Sequence, residues 1–172
     1  MYIQVTKKFV IEVLKNYSTM KTTLMKESIT LLKEIHFITN EGRVPVEIIE
    51  AVSIPGCDEQ GYRLKSQDLS NVIDKYKSLA NDLKETATET IKENSEKLES
   101  ATIVMKIYQS LPQKEKEVLD IVYQSNVNET DARQQAAQFL NINMNQVYRI
   151  SRSGINDIIK GYSQYVNTLI NK

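Results

Sequence analysis

The 172-residue chain has no tryptophan, one cysteine and one histidine. A lone cysteine, Cys57, excludes an internal disulfide and suits a reducing compartment, so a cytoplasmic location is expected. A single histidine, His36, excludes a multi-histidine metal site. Cys57 and His36 could pair as nucleophile and base only with a third orienting group, and none stands near either. No glycine-rich phosphate loop is present, and the carboxylates are interleaved with lysines as on solvated helix faces. Nothing is therefore nominated as catalytic residue, metal ligand or cofactor site, and a non-enzymatic role is expected. Five glycines and three prolines leave most of the chain free to be helical. No apolar alternation is long enough to read as strand, so the expected fold class is all-α. No apolar run approaches a membrane span, and the start MYIQVTKKF lacks a signal-peptide pattern. No membrane association is expected.

The strongest positive signal is residues 133 to 152, RQQAAQFLNINMNQVYRISR. The spacing predicts two short helices meeting at a tight bend. Ala136, Phe139 and Leu140 form an apolar stripe on the first helix, and small Ala137 falls where the helices touch. The bend favours a residue that tolerates positive φ, and Asn141 stands there. Asn143 or Asn145 can cap the second helix. Val147 and Ile150 recur one turn apart, as a packed helix needs. This is the spacing of a DNA-binding helix-turn-helix, whose second helix enters the major groove with its N-terminal residues. The candidate DNA contacts are Arg133, Asn143, Asn145, Gln146, Tyr148, Arg149 and Arg152. Arginine can pair bidentately with guanine, and asparagine or glutamine with adenine.

Just upstream, LPQKEKEVLDIVY (111 to 123) predicts a further helix with Val118, Leu119, Val122 and Tyr123 on one face. Together with QAAQFLNINMNQVYRI it resembles region 4 of bacterial sigma factors over about residues 110 to 162. There a leading helix braces the helix-turn-helix. From about residue 45 the chain is also similar to small phage transcriptional regulators of the autolysin-regulator type. The loop SIPGCDEQGYRLKSQD, the following long helix and the ending QVYRISRSGINDIIKGY carry that likeness. The resemblance implies activation of phage late or packaging genes.

The body ahead of the reader is expected to be helical throughout. Phe9, Val10, Val13, Leu14, Tyr17, Leu24, Leu31, Leu32 and Ile35 form a stripe over residues 6 to 36, with a bend or break open to it near 18 to 23, where serine and threonines lower propensity. Residues 44 to 52, VPVEIIEAV, fit a short helix or an extended piece. Residues 53 to 67 read as a linker punctuated by Pro55, Gly56 and Gly61. From about Leu69 a long helix carries Ile73, Tyr76, Ala80, Leu83, Ala87, Ile91, Asn94, Leu98, Ala101, Met105 and Tyr108 at three-to-four spacing. That is a coiled-coil-like seam of about five heptads. Self-association through it is favoured, and packing on the N-terminal helix within one chain is the alternative. The expected organisation is an N-terminal helical region at 1–66, a long central helix at 68–110 and a helix-turn-helix domain at 111–172.

A formal net charge of zero hides a split. Residues 133 to 172 hold five basic side chains against Asp157 alone, whereas 112 to 132 hold two lysines against five acids. The basic surplus sits on the proposed reader, where phosphate contacts need it. The sequence thus points to a regulator that binds double-stranded DNA, works as a homo-oligomer (a dimer being favoured) and has RNA polymerase as a further possible partner. Two rivals stand beside it. One is a small terminase subunit for phage DNA packaging. The other is an adaptor of RNA polymerase that binds no DNA.

Overall fold

The computed structural model describes residues 3–40, 66–125 and 127–170. Among them the chain is all-helical, with no strand. In chain order the helices are α1 (Lys7–Asn40), α2 (Ser66–Ser110), α3 (Gln113–Gln124), α4 (Glu129–Phe139) and α5 (Met144–Ile170). None of these helices is long and apolar enough to cross a membrane. The segment VPVEIIEAV, Cys57 and most of the expected linker lie outside the described residues; the last two linker positions, 66 and 67, are helical.

The chain divides into two compact units, Met1–Met25 with Asn94–Lys172, and Lys26–Glu93. The C-terminal helices therefore share their unit with the start of α1 and the end of α2. The core explains why. Val10, Val13 and Leu14 from α1, Ala101, Ile103, Val104 and Tyr108 from α2, and Val118, Leu119, Val122 and Tyr123 from α3 are buried together with Val147, Ile155, Ile158 and Tyr162 of α5. Burying such side chains is worth roughly 1.5–3 kcal/mol each, and α3 to α5 alone are too few to cover all the apolar faces they present. Two hydroxyls inside this core are paired with each other. Ser100 and Tyr162 hydroxyls lie 2.8 Å apart, and Tyr162 also donates to the Ile3 carbonyl at 3.1 Å, which ties the extended residues before α1 to α5.

α1 breaks at Asn16 (φ −136°, ψ 23°), just before the expected weak stretch. Residues 18 to 23 remain helical, with the Thr22 hydroxyl bonded back to the Ser18 carbonyl at 2.9 Å. Asparagine, which competes for backbone hydrogen bonds, stands at the break itself. In the second unit the face of α1 bearing Leu31, Ile35 and Ile38 and the face of α2 bearing Ala80, Leu83 and Ala87 line one open apolar cavity of about 590 Å³. The predicted α2 seam is thus divided in use. Ala101 and Tyr108 are buried in the core of their own unit and Asn94 is buried as well, so these positions are closed to a second copy, whereas Leu83 is 53% exposed.

Candidate nucleic-acid interface

Each helix of the 111–170 region begins and ends for a local reason. Pro112 stands at the start of α3, where its missing N–H costs nothing. The polar stretch SNVNETDA is only half connection: Asn128 caps α4 by accepting from the Asp131 N–H at 3.0 Å, and the helix starts at Glu129. α4 therefore begins a full turn before Arg133. It ends in a Schellman motif. The Ile142 N–H reaches the Ala137 carbonyl at 3.0 Å and the Asn141 N–H reaches Gln138 at 3.3 Å. Asn141 sits at φ 50°, as the bend requires, and no other described non-glycine residue has positive φ. Asn143 then caps α5, its Oδ1 accepting from the Gln146 N–H at 2.8 Å while Gln146 Oε1 accepts from the Asn143 N–H at 3.1 Å. This reciprocal capping box fixes the direction in which α5 leaves the bend.

The packing between α4 and α5 corrects the expected stripe. Ala132 and Ala136 are the fully buried small residues, and Ala137 is only partly buried beside them. Phe139 is 78% exposed and takes no part in the core. Burial on α4 repeats at Ala132 and Ala136, i to i+4; Phe139 shares that face by spacing but is the last residue of the helix, where nothing covers it. Val147 is fully buried, and Ile150 is packed against the core.

The seven sequence-nominated residues separate into two groups. Asn145, Arg149 and Arg152 are exposed, one turn apart along α5, and Asn156 and Lys160 continue the same face. No acidic residue stands in the first turn of α5. The others are committed to the fold. Asn143 and Gln146 spend their carbonyl oxygens on the capping box, so a bidentate pairing with adenine, which uses that oxygen, would cost the cap. Arg133, also expected among the DNA contacts, is engaged within the fold. Its side chain is only 16% exposed and forms an ion pair with Glu129. Its guanidinium lies 4.2 Å from the centre of the Tyr148 ring, and Nη1 donates to the Tyr148 hydroxyl at 3.2 Å. Arg133 therefore holds Tyr148 in place, and Tyr148, still 46% exposed, presents its remaining face to solvent.

Two basic residues from α1 were not anticipated at this face. Lys7 lines a cavity of about 270 Å³ with Tyr123, Arg133, Tyr148, Arg149 and Arg152. The Lys15 ammonium stands 6.0 Å from the centre of the Tyr123 ring. Sequence showed six lysines against three glutamates in residues 1 to 36, but nothing local tells which helix turn will meet α5. Burial pushes the Tyr123 phenol pKa up, with Glu129 adding to the rise and Arg133 opposing it, so the group stays protonated at neutral pH.

On the flank of α5 next to that face, Glu115 and Asp157 approach each other beside Ser153, whose hydroxyl donates to Asp157 at 3.3 Å. Burial, then repulsion from Asp157, raises the Glu115 pKa, and a hydrogen bond from Ser153 offsets part of that rise. The acid pair thus adjoins the cationic face of α5 but does not line the cavity beside Arg149 and Arg152. Compared with protein-family models, curated proteins and solved structures, the chain matches none.

Proposed function

We propose that the chain is a sequence-specific regulator of transcription that binds double-stranded DNA, with α4 and α5 as a helix-turn-helix reader. One observation carries this reading: after a bend locked at Asn141, the first three turns of α5 expose Asn145, Arg149 and Arg152 on one face with no acidic side chain among them. A helix end of that composition fits a major groove, its arginines suited to guanine and its asparagine to adenine. The likeness of residues 110 to 162 to sigma region 4, and of the longer stretch to phage autolysin-type regulators, supports a role at promoters, with activation of late or packaging genes as the specific assignment. Four or five cations are a modest charge for one reader. Tight operator binding is therefore assigned to two copies acting together.

The test is selection of bound sequences from random 20-base-pair duplexes (a length of roughly two helical turns), followed by affinity measurement at two salt concentrations with mass determined in parallel. The expected result is an enriched motif whose binding weakens steeply with salt. Arg149→Ala or Arg152→Ala is expected to cost about 1–3 kcal/mol for that motif and to relax preference at one position. Absence of any enriched motif, or wild-type affinity in both variants, refutes the assignment of these residues.

A further inference from the structure

The cavity beside the reader has an unusual lining. Lys7, Arg149 and Arg152 face it together, with Arg133, Tyr123 and Ser151 forming its deeper wall, and no carboxylate lines it. The Arg133 charge is matched by Glu129. The other three cations gather with no acid between them. Their placement works against the fold: Lys7 and Lys8 open α1, which has no acid in its first turn, and a helix N-terminus already carries partial positive charge. Concentrated cations at a helix N-terminus are relieved by an anion bound there.

We infer that this cavity is a seat for one phosphate group. A guanidinium fork from Arg149 or Arg152 matches phosphate oxygens in pairs, and Lys7 supplies a compact charge from α1. The Arg133 Nε is buried without a hydrogen-bond partner at the back of the same wall. The Tyr123 hydroxyl stays protonated and so offers a donor in place of a negative charge. This deepens the DNA-binding reading and rests on it for the source of the phosphate, which is then a diester of the duplex backbone. A free phosphate monoester offers the same chemistry from a second source. On the duplex, Lys7 and the arginine that seats the phosphate are non-specific anchors that set the register of α5, while Asn145 and the other arginine face the bases.

The experiment uses the full chain and Lys7→Gln, an exposed substitution whose melting temperature is expected to equal or slightly exceed that of the wild type. Amide spectra are recorded during titration with inorganic phosphate against chloride at equal ionic strength, and duplex binding is measured across a salt series. Phosphate-specific shifts around Lys7 and Ser151 that vanish in the variant, with a salt slope for duplex binding reduced by about one in Lys7→Gln, establish the seat and its occupant. Phosphate shifts without any duplex binding keep the seat, assign it to a free monoester and defeat the DNA reading. Phosphate shifts with duplex binding whose slope is unchanged in the variant likewise keep the seat and assign it to a monoester. A reduced slope without phosphate shifts supports a seat formed on the duplex. Duplex binding with an unchanged slope and no phosphate shifts overturns the seat and leaves the DNA reading intact. Neither phosphate shifts nor duplex binding overturns both.

Discussion

Asn141 is the hinge on which the reader turns, and its substitution has a calculable outcome. At φ 50° an ordinary L side chain is strained by about 1–2 kcal/mol relative to its preferred backbone, a cost that asparagine partly escapes and glycine avoids. The residue is exposed, so replacing it removes no packing. Asn141→Gly trades the remaining strain against the extra freedom of glycine in the unfolded chain, about 0.4–1 kcal/mol, and is expected to lie within about 0.5 kcal/mol of the wild type. Asn141→Ala is expected to lose about 1 kcal/mol, and Asn141→Val, with its branched β-carbon, about 2 kcal/mol. At about 2–4 °C per kcal/mol for a chain of this size, the valine variant melts about 4–8 °C lower. Thermal and urea unfolding followed by far-ultraviolet circular dichroism measure these differences, and the duplex affinity of each variant shows whether the bend also sets the reader. A valine variant as stable as the wild type would refute the requirement for positive φ, and with it the Schellman closure through Ile142 and Ala137.

Three other outcomes follow from the same structure. Asn143→Ala is expected to cost about 1 kcal/mol by removing the α5 cap, measured by urea unfolding; no change would mean that the capping box contributes nothing. Val147→Asp buries a charge without a partner at a fully buried position and is expected to cost more than about 4 kcal/mol, so cooperative melting at the wild-type temperature would show that α5 packs in another register. Glu115 holds its proton more tightly folded than unfolded, because burial and Asp157 penalise its charged form. Its contribution to stability therefore falls as pH rises from the ordinary carboxylate value through the raised one. Melting temperatures of wild type and Glu115→Gln, compared across that window, are expected to diverge with the variant higher at neutral pH and to converge in acid; parallel curves would contradict this.

Local features were readable from the chain alone because they depend on neighbours three or four residues apart. The spacing of Val118, Leu119, Val122 and Tyr123 marks the buried face of α3, and all four are buried. Asparagine at 141 marks positive φ, and Asn143 is one of two residues that spacing offered as the α5 cap. The absence of β-alternation and the scarcity of glycine and proline point to an all-helical chain, and the described residues are helical. By contrast, Arg133 and Arg149 look alike in sequence, yet one is pinned between Glu129 and Tyr148 while the other stands in solvent. Phe139 reads as core by its spacing from Ala132 and Ala136 but is exposed at the last residue of α4, where no other helix covers it. The meeting of Lys7 with Arg149 and Arg152 joins residues more than a hundred positions apart. Spacing dictates which side of a helix is apolar. Which other helix covers that side, and therefore which charges end up facing one another, is decided only when the separate apolar faces are buried together.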